Sequence, residues 1–261
     1  MTTGPLDYPT DHWLKSADPE ALLSASVKQQ SLAYSQVKNY FLWELIGTVE
    51  GIRLLDFGCG SGFFMVEAVK RGAASAVGVD ALESCLAAAR LLAERERVAE
   101  RTVFVRGESL SAVSNRHLFD VILLRDVIEH VDDDSLLLSQ AARLLSPRGR
   151  LIVATQNAWS LNYFLEGAIQ RFILKKQSWF GWDPTHLRFY TPKRLTRLLG
   201  EAGLRPTSWR SGYLFPHKIP SPFGKNRKYI RLEILARLDR FLGRVTPFNR
   251  LGWSLMVRGE R

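Results

Sequence analysis

Three glycines alternate with other residues directly after a short apolar run, and this pattern indicates a ligand-binding turn. Gly58, Gly60 and Gly62 follow the segment 52–57, in which Asp56 is the only acidic residue. A stretch of helical periodicity comes next, so the order is a strand, a tight turn and a helix start. Glycines allow positive φ angles and close approach by a ligand, and free N–H groups at a helix start attract electron-rich groups. The turn is therefore predicted to bind a nucleotide-like molecule.

A second acidic residue, Asp80, ends the next apolar run, 76–80. A carboxylate in that place can accept hydrogen bonds from both hydroxyls of a ribose, a contact that neutral groups make less strongly. The alternative is that Asp80 caps the helix that begins near Glu83. A glycine turn followed by an acidic strand end indicates a nucleotide more specifically than the turn alone does.

Asp126, Glu129 and His130 form the pattern D-x-x-E-H directly after the apolar run 119–124. This spacing puts Asp126 beside Glu129 or His130 on one helical turn. Histidine titrates near neutral pH, which makes His130 a candidate base for removing a proton from a hydroxyl. The alternative is a structural histidine that is hydrogen-bonded within the loop.

Regular alternation of strands and helices has to position these residues. Strand-helix units of this length predict a parallel sheet that is covered on both faces, and such sheets bind ligands at the carboxyl ends of their strands. Gly107, Glu108 and Arg125 also stand at strand ends. The predicted strands are 52–57, 76–80, 102–106, 119–124 and 150–155, and the predicted helices are 63–70, 83–99 and 132–145.

Two further helices are predicted between residues 20 and 47, ahead of the glycine turn, from apolar residues at helical spacing. Helices in this place can cover a ligand site. The hydroxyls of Tyr34 and Tyr40 would then reach the ligand, or the two aromatic rings pack the helices onto the sheet.

The composition is that of an ordinary globular protein with an excess of basic residues. The chain has 261 residues, a formal net charge of +10 and a pI near 9.9. This excess favours an acidic substrate, nucleic acid or an anionic membrane surface as partner, or it is a solvated surface without a specific partner. Only two cysteines are present, which argues against a disulfide framework and a cysteine metal site. Neither a secretory signal nor a membrane-spanning run is visible, so we expect a cytoplasmic enzyme of bacterial type.

The spacing of the glycines separates two nucleotide-binding families. A dinucleotide-binding turn reads G-x-G-x-x-G, but Phe63 occupies the place of its third glycine, and the spacing here is G-x-G-x-G. The segment 54–62 resembles the first motif of class I S-adenosylmethionine-dependent methyltransferases, and 78–80 resembles their second motif. Segments 119–124 and 126–131 together resemble the fourth-strand motif of the quinone-precursor and related small-molecule O-methyltransferases.

A further motif, 144–151, resembles the family's leucine-leucine-x-proline-glycine-glycine approach to the fifth strand, with Arg148 in place of the first usual glycine. The resemblance covers about 51–209 and implies a Rossmann-like, doubly wound α/β fold. Its seven-stranded sheet would be mostly parallel, with an antiparallel last strand. Residues 205–212 would form the sixth strand and 253–259 the seventh.

The resemblance also implies S-adenosyl-L-methionine as the cofactor. The sulfonium cation already activates the methyl group, so correct placement of the acceptor can supply most of the catalysis. Arg125 replaces a smaller or apolar residue of the family, and it either touches the cofactor carboxylate or turns outward. By this resemblance, Asp56, Gly58 and Gly60 would contact the methionine end of the cofactor, at the turn that Gly62 completes, and Arg125 would lie along the methionyl chain. Asp80 would contact the ribose and Leu82 the adenine, with Glu108 and Ser109 near the adenine amino group.

In the resembling quinone-precursor enzymes, the positions that match D-x-x-E-H can bind a divalent metal, which would assist deprotonation of a phenol. The same three residues occur in many relatives that have no known metal. For this chain we predict no metal, and His130 stands as the first catalytic candidate.

Residues 157–191 are predicted to form a lid over the acceptor, beginning with one amphipathic helix at 157–176. The run 182–192 resembles a histidine-x-arginine-phenylalanine-tyrosine/phenylalanine-threonine segment of methyltransferases that are encoded with surface-glycan and lipid pathways. Within it, His186 would assist catalysis and Arg188 would pair with an acidic group of the substrate. The alternative is that both residues brace the lid against the sheet.

A second insertion is predicted at 213–251, between the sixth and seventh strands. It begins with prolines and four basic residues, Lys225, Arg227, Lys228 and Arg231, and apolar residues follow at helical spacing. Such a basic amphipathic helix has three possible roles: it would lie on an anionic membrane, accept a lipid-linked substrate, or cover the protein's own core. Peripheral membrane contact through 225–243 is therefore one of the open alternatives.

The chain is thus predicted to be one methyltransferase domain, with a helical cap at 1–50, a cofactor-binding core at 51–156, the lid at 157–191 and a C-terminal part at 192–261. The predicted activity is methyl transfer from S-adenosylmethionine to an oxygen of a small, sugar-linked or lipid-linked acceptor, which the basic charge suggests is acidic. Two alternatives stay open. One is a nucleic-acid methyltransferase, although no nucleic-acid-binding module is recognisable, and the other is a catalytically silent cofactor-binding partner protein.

Overall fold

Strands and helices alternate along the chain as the periodicity predicts. The structure, a computed structural model, describes residues 16–113, 118–173, 175–181, 183, 185–215, 218–220, 229–231 and 233–261. The strands are β1 (Arg53–Phe57), β2 (Ser75–Asp80), β3 (Thr102–Arg106), β4 (Phe119–Arg125), β5 (Leu145–Gln156), β6 (Arg205–Gly212), β7 (Lys218–Pro220), β8 (Tyr229–Arg231) and β9 (Ser254–Glu260). The helices are α1 (Pro19–Gln30), α2 (Ala33–Ile46), α3 (Phe63–Lys70), α4 (Glu83–Arg95), α5 (Asp134–Leu144), α6 (Leu161–Ala168), α7 (Pro192–Glu201) and α8 (Glu233–Leu242).

Seven strands form one sheet in the order β3-β2-β1-β4-β5-β9-β6. The first five strands of that order run parallel, and β9 runs antiparallel to both of its neighbours, β5 and β6. The chain passes from β1 to β2 on one side and returns to β4 on the other, so the topological switch point lies between β1 and β4. The predicted Rossmann-like sheet of seven strands with an antiparallel last strand is confirmed.

Apolar side chains cover both faces of this sheet. On one face, Phe41 of α2 and Phe64 of α3 pack with Leu54 of β1 in a buried cluster. On the other face, Leu138 of α5 and Leu195 of α7 belong to a second buried cluster. Because both faces are covered, the strands are apolar nearly throughout, and the polar residues collect at the strand ends.

The two leading helices are present, and they attach to the region of the glycine turn. Leu22 and Leu23 of α1 pack against Cys85 and Ala88 of α4. The Ser26 hydroxyl also lies 2.5 Å from the hydroxyl of Ser61 in the turn itself. The helical cap is therefore positioned over the carboxyl ends of β1 and β2.

Two predicted boundaries in the core are wrong. Helix α4 ends at Arg95 rather than at 99, because Arg97 adopts a φ of 57°, which a right-handed helix cannot contain. Strand β5 begins at Leu145 rather than at 150, and its pairing with β4 is irregular between Phe119 and Val121. Of the five residues that this earlier start adds to β5, Leu145 pairs with Phe119 of β4.

Two predicted helices differ more substantially from the structure. The lid helix at 157–176 is shorter: α6 ends at Ala168 and continues as a π-helix, Ile169–Ile173. The basic helix begins only at Glu233, because residues 229–231 form β8 and use their backbone groups to pair with β7. Its predicted basic start at Lys225, Arg227 and Lys228 lies outside the described residues.

Candidate active site

The glycine turn after β1 has the backbone that its sequence requires. Gly58, Gly60 and Gly62 have φ values of 75°, 54° and 74°, in the left-handed region that favours glycine. A Cβ on Gly58 would lie 2.4 Å from a methyl group of Val127, whereas a Cβ on Gly60 would meet nothing within 4 Å. Gly60 is thus the place where the turn is open to a ligand, and Gly58 is fixed by internal packing.

Asp56 lies directly under this turn and is almost completely buried, with 1% of its surface exposed. Neither of its carboxylate oxygens has a hydrogen-bond partner within the described part of the chain. Burial raises the pKa of Asp56 to about 7, the negative charge of Asp80 raises it further, and the Arg125 cation opposes the shift. An unpartnered buried carboxyl costs free energy, so this group is suited to receive a cationic hydrogen-bond donor.

Asp80 connects the glycine turn to the next helix. Its Oδ2 accepts a hydrogen bond from the Gly60 backbone N–H at 2.8 Å, and its Oδ1 accepts one from Leu82 N–H at 2.9 Å. The bond to Leu82, which immediately precedes α4, agrees with the capping alternative. Burial raises the pKa of Asp80, and these backbone donors oppose that rise. Each carboxylate oxygen keeps a further lone pair, so the capping role leaves room for ribose hydroxyls.

The predicted adenine-binding residues lie at the ends of β2 and β3. The Gly107 N–H donates to the Asp80 carbonyl at 3.0 Å, which brings the end of β3 next to that of β2. Glu108 is exposed there, and Leu82 packs against the cluster beneath α1. Ser109 is partly used by its own loop, because its hydroxyl accepts from Ser111 N–H and donates to Gln140.

Arg125, the last residue of β4, turns inward along the sheet edge. Its guanidinium lies 5.1 Å from the ring centre of Phe64, and its Nε is buried without a hydrogen-bond partner in the described residues. Its charge also lowers the pKa of Asp56, although burial of Asp56 has the larger effect. Arg125 therefore does not turn outward, and its contact with the cofactor carboxylate stays a prediction.

The next residue, Asp126, forms an ion pair with Lys38 of α2. Lys38 is a site residue that the sequence analysis did not identify, and only 6% of its side chain is exposed. Asp126 also accepts a hydrogen bond from Gln156 at 3.4 Å. Burial alone would raise the pKa of Asp126, but the Lys38 and Arg125 cations outweigh it and hold that pKa below its usual range.

The two tyrosines of α2 have different positions. Tyr34 is half-buried near Asp126, and burial together with the charge of Asp126 raises the pKa of its phenol. The hydroxyl of Tyr40 instead donates to Glu44 at 3.2 Å, and its ring lies 5.0 Å from the Arg244 guanidinium. Of the two, Tyr34 is the one that approaches the strand ends, and the contacts of Tyr40 agree with the packing alternative.

Glu129, His130 and His186 come together at the same edge of the sheet. One potential ligand atom from each residue lies within 4.8 Å of the other two. The rings of His130 and His186 make an edge-to-face contact with centres 4.8 Å apart. The contact forms because Leu187 N–H donates to the Glu129 carbonyl at 2.9 Å, which fixes the segment that carries His186 beside the loop after β4.

Burial shifts the pKa of two members of this cluster. Burial, together with the charge of Asp126, raises the pKa of Glu129 to about 8. Burial, together with the neighbouring His130, lowers the pKa of His186 to about 4. At neutral pH the His186 imidazole is therefore uncharged and carries a lone pair that can accept a proton or bind a metal.

Arg188 does not face the site. Its guanidinium donates to the Asp132 carbonyl at 2.9 Å and lies 3.5 Å from Asp134, which also pairs with Arg194 of α7. The hydroxyl of Tyr190 contacts the same Asp134 carboxylate at 2.9 Å. These contacts agree with the bracing alternative for Arg188, because its charge is already used within the protein.

Aromatic rings cluster in and beside the segment 157–191, the predicted lid. The ring of Tyr163 on α6 stacks at 5.5 Å on Trp179 and at 5.7 Å on Trp253. Phe189 continues this group and contacts His186, with ring centres 5.7 Å apart. Exposed apolar residues of the predicted lid are Trp159, Leu161, Phe164, Leu165, Ile169, Phe172, Ile173, Phe180 and Leu187.

Within the residues that the structure describes, no helix has the length and apolar character needed to span a lipid bilayer.

Chemically, one end of the crevice has a buried acid and an open glycine turn, and the other has two histidines beneath an aromatic lid. Lys38 could have been found from the sequence, because it occurs between Val37 and Phe41 on the buried face of an amphipathic helix. A lysine in that position needs a buried partner or a ligand.

Residues 28–208 match a family model described as a methyltransferase domain. Among curated proteins, an enzyme named ubiquinone biosynthesis O-methyltransferase from Dinoroseobacter shibae is 35% identical over 170 residues, which cover 64% of each chain. The enzyme of the same name from Nitrobacter winogradskyi is 33% identical over 181 residues, which cover 69% of this chain and 64% of that one. The chain thus aligns with a little under two thirds of the length of these relatives.

Solved structures support the same fold. The magnesium protoporphyrin IX methyltransferase of Synechocystis PCC 6803, solved with bound SAH, superposes with a TM-score of 0.58 at 17% identity. The superposition covers 88% of this chain and 84% of that one. At this identity the likeness concerns the fold alone.

Proposed function

The chain belongs to the methyltransferase-domain family, and on this premise we propose that it transfers a methyl group from S-adenosyl-L-methionine to an oxygen of a small acceptor. The observation that carries the proposal is the buried, unpartnered carboxyl of Asp56 beneath the open side of Gly60. A cofactor whose amino-acid end carries an ammonium group and whose sulfur is a cation suits that environment.

The cofactor would lie along the carboxyl ends of β1, β2 and β4. Asp56 would accept hydrogen bonds from the ammonium group, and Asp80 would accept them from the ribose hydroxyls. The half-buried Arg125 and the buried Lys38 stand near Asp56 and Asp126, respectively, which supports recognition of the cofactor carboxylate. Leu82, Glu108 and Ser109 would surround the adenine.

The acceptor would bind between β4 and the lid, where His130 and His186 lie. A hydroxyl becomes a better nucleophile as it loses its proton, and an uncharged imidazole can take that proton. The oxygen then forms a bond to the methyl carbon while the bond from carbon to sulfur breaks. The electron pair of that bond stays on sulfur, which leaves as a neutral thioether.

An acceptor with an aromatic or lipid part is favoured over a purely polar one. The ring of Phe189 contacts His186, the rings of Tyr163 and Trp179 continue from Phe189, and α6 adds exposed apolar surface. The names of the curated relatives, ubiquinone biosynthesis O-methyltransferases, agree with a hydroxyl acceptor of this kind. A sugar-linked acceptor and membrane contact through 225–243 are the alternatives that the assay must distinguish.

Two measurements test the proposal. Calorimetric titration should show S-adenosylmethionine binding, and absence of binding at high micromolar concentration would contradict it. Hydroxylated aromatic compounds, with and without alkyl chains, and sugar-linked hydroxyl compounds should then be incubated with cofactor and screened for the mass gain of one CH2. Product from the first group alone supports an aromatic acceptor, whereas methylated RNA or DNA would favour the nucleic-acid alternative.

A variant links the acceptor chemistry to the site. His130→Ala should retain cofactor affinity but lose most methyl transfer, because general base catalysis typically contributes about 10²–10⁴-fold. Arg188→Ala, which changes a bracing contact nearby, is the matched control and should keep turnover. Undiminished turnover by His130→Ala would reject the role of His130. Cofactor binding without turnover of any acceptor would favour the silent partner protein.

A further inference from the structure

Helix α8 has one apolar face that packs on the protein and a second apolar face that is exposed. On the second face, Ile234, Leu238 and Phe241 are 67%, 40% and 65% exposed. A helix turns by about 100° per residue, so these three side chains lie within about 60° of one another. We propose that these three residues, the outer face of α8, dock the protein on an anionic lipid membrane.

The inner face of α8 attaches the helix to the core. Ala236 packs against the buried cluster that contains Phe41 of α2. The buried carboxylate of Asp239 accepts hydrogen bonds from the N–H groups of Tyr213 at 2.9 Å and Leu214 at 3.1 Å. These contacts agree with the core-covering role predicted for this helix, and the outer face takes no part in them.

The end of α8 is fixed by a close backbone contact. Gly243 follows the helix, and its N–H donates to the Asp239 carbonyl at 2.8 Å. A Cβ on Gly243 would lie 2.0 Å from the Ser211 carbonyl oxygen and 2.7 Å from the ring of Phe41. The helix therefore cannot turn about its axis to bury its outer face without breaking this contact.

Two arginines flank the outer face. Arg237 and Arg240 are exposed and directly precede Leu238 and Phe241, which places both on the same side of the apolar residues. The Arg240 guanidinium lies over the ring of Tyr40, 5.3 Å from its centre. Neither arginine forms an ion pair with a described residue, so both charges are available to anionic groups outside the protein.

An anionic bilayer has both kinds of group that this arrangement requires. Apolar side chains enter the boundary between lipid headgroups and acyl chains, and the long stems of arginines carry their guanidinium groups to the phosphates. The formal net charge of +10 adds a general attraction to anionic lipids. With ten residues, α8 is about 15 Å long, half the thickness of the hydrocarbon core, so it would lie in the membrane plane.

Two other partners fit this face less well. A second copy docked by two-fold symmetry would bring Arg237 and Arg240 near the same arginines of its partner, and like charges at an interface are unfavourable. Nucleic acid would pair with the arginines but would leave Ile234, Leu238 and Phe241 exposed to water, because most of its contacts are made through phosphates and sugars. An anionic membrane engages the charges and the apolar residues together.

The outer face lies outside the part of the chain that the methyltransferase-domain model matches. That match ends at residue 208, and α8 begins at Glu233. Membrane docking is therefore a property of this C-terminal part and does not depend on the proposed methyl transfer. It can be tested on the full chain without cofactor or acceptor, so its failure would leave the proposed function standing.

Sedimentation with lipid vesicles is the first test. Vesicles of phosphatidylcholine with about 30% phosphatidylglycerol should bind the full chain about tenfold more tightly than vesicles of phosphatidylcholine alone, since anionic lipids attract each arginine. Raising the salt from about 0.1 M to about 0.5 M should weaken this binding, because the Debye length shortens. Equal affinity for the two kinds of vesicle, or no binding to either, would overturn the proposal.

A substitution on the outer face tests the apolar contact. Phe241→Ser should weaken binding to the mixed vesicles about fivefold, because a large ring no longer enters the acyl region. Leu136→Ser is the matched control, since Leu136 is 52% exposed on α5, which packs on the other face of the sheet. Far-ultraviolet circular dichroism checks that both variants are folded. Equal losses of binding in the two variants would contradict docking through α8.

A pair of substitutions tests the charges. The double variant Arg237→Gln with Arg240→Gln should weaken binding to the mixed vesicles about tenfold and reduce its salt dependence. The matched control, Arg143→Gln with Arg197→Gln, removes the same charge from exposed positions on α5 and α7 and should change the binding much less. An equal effect of the two double variants would mean that net charge rather than the outer face attracts the lipids, and it would contradict the proposal.

A fluorescent label reports whether the outer face itself enters the lipid. Cys59 and Cys85 are buried, so a cysteine introduced as Phe241→Cys can be labelled selectively with an environment-sensitive fluorophore. Its emission should shift to the blue when mixed vesicles are added, while the same label on Leu136→Cys should not respond. An unchanged emission from the label on α8 would overturn the proposal even if the protein sediments with vesicles.

Two further outcomes would assign the outer face to another partner. A dimer in size-exclusion chromatography that Phe241→Ser converts to a monomer, without vesicle binding, would indicate a second copy of the chain. Salt-sensitive retention on RNA, again without vesicle binding, would indicate nucleic acid. Either result would overturn membrane docking.

Discussion

Lys38 of α2 forms an ion pair with Asp126, the residue that follows β4, across 88 positions of the chain. Asp126 adopts a φ of 55°, which directs its carboxylate away from the regular course of the strand. The pair connects the helical cap to the sheet edge that carries the candidate site. Cap and core therefore share this charged contact in addition to their apolar packing and to the more exposed pairs Glu20 with Arg95 and Glu44 with Arg210.

Removing one member of this pair should be destabilising. Lys38→Met leaves the Asp126 carboxylate, whose side chain is 31% exposed, without its cation. The loss should therefore lie between the value for an exposed pair, about 0–1 kcal/mol, and that for a fully buried pair, about 3–5 kcal/mol. Unfolding in urea at neutral pH measures the loss. The double variant Lys38→Met with Asp126→Asn should regain much of the stability, because no unpaired charge is left.

Lys70→Met provides a matched control for that experiment. Lys70 pairs with Glu96 on the surface, with about 40% of each side chain exposed. Solvent screens exposed pairs, so this loss should be small. Equal losses for Lys38→Met and Lys70→Met would mean that the Lys38 pair is solvated and does not hold the cap.

Gly60→Ala should fold but fail to bind cofactor. The added methyl group would meet no protein atom within 4 Å, so only the left-handed backbone conformation opposes it, at a cost of about 1–2 kcal/mol. The methyl group would occupy the open side of the turn. Calorimetric titration should show at least a tenfold loss of S-adenosylmethionine affinity.

Gly203→Ala is the control, because Gly203 also has a positive φ, 78°, and open space around its Cβ position. The two variants should have similar melting temperatures, while only Gly60→Ala loses affinity. Normal affinity in Gly60→Ala would show that the cofactor does not approach the turn there.

Cofactor affinity should depend on pH through Asp56. Its pKa is about 7 because the carboxyl is buried, and an ammonium group binds only to the ionised form. Raising the pH from 6 to 7.5 should therefore strengthen S-adenosylmethionine binding about eightfold, by proton linkage to a group of pKa 7. Asp56→Asn should bind more weakly and lose this dependence, and a persistent pH dependence in the variant would assign it to another group.

The same residue should limit stability in the absence of cofactor. Burial raises the pKa of Asp56 from 3.8 to about 7, so the folded protein holds the proton more tightly than the unfolded chain. The resulting stabilisation is complete below pH 3.8 and is lost as the pH rises through 7. Asp56→Asn should therefore melt at a higher temperature than the unmodified protein at pH 8, in a thermal scan without cofactor. A lower melting temperature would mean that the carboxylate has a stabilising partner.

Tyr190→Phe should affect stability without affecting the site. The Tyr190 hydroxyl contacts the Ile128 carbonyl and the Asp134 carboxylate, each at 2.9 Å, in the buried brace beneath the lid. Losing this donor should cost about 1–2 kcal/mol in urea unfolding. Cofactor affinity should stay within twofold, and a large affinity loss at unchanged stability would instead connect the hydroxyl to ligand binding.

The sequence predicts best the parts of the site that are local in the chain. Asp56 and Gly60 belong to one strand-turn-helix unit, and the pairing of β1 with β2 then brings Asp80 beside them. These relationships follow from strand order and glycine geometry, which a single sequence displays.

Contacts between distant segments could not be predicted in the same way. Nothing in the linear pattern shows that Lys38 meets Asp126, or that His186 lies edge-to-face on His130. The contact between the histidines depends on a backbone hydrogen bond from Leu187 to Glu129, and that bond forms only after the lid segment has packed. The start of α8 was predicted too early for a related reason, since the pairing of β8 with β7 is decided by tertiary structure rather than by helical periodicity.

The position of β9 has a consequence for the order in which the sheet can assemble on the ribosome. Within the described part of the chain, β9 is the strand that joins β6 to the rest of the sheet. Residues 205–212 are synthesised well before 254–260, so β6 has no sheet neighbour while the intervening residues are made. The five parallel strands, which include the strand before the glycine turn, pair with one another without β9. A nascent chain can therefore form its cofactor-binding half early, whereas β6 can join the sheet only once β9 has been made.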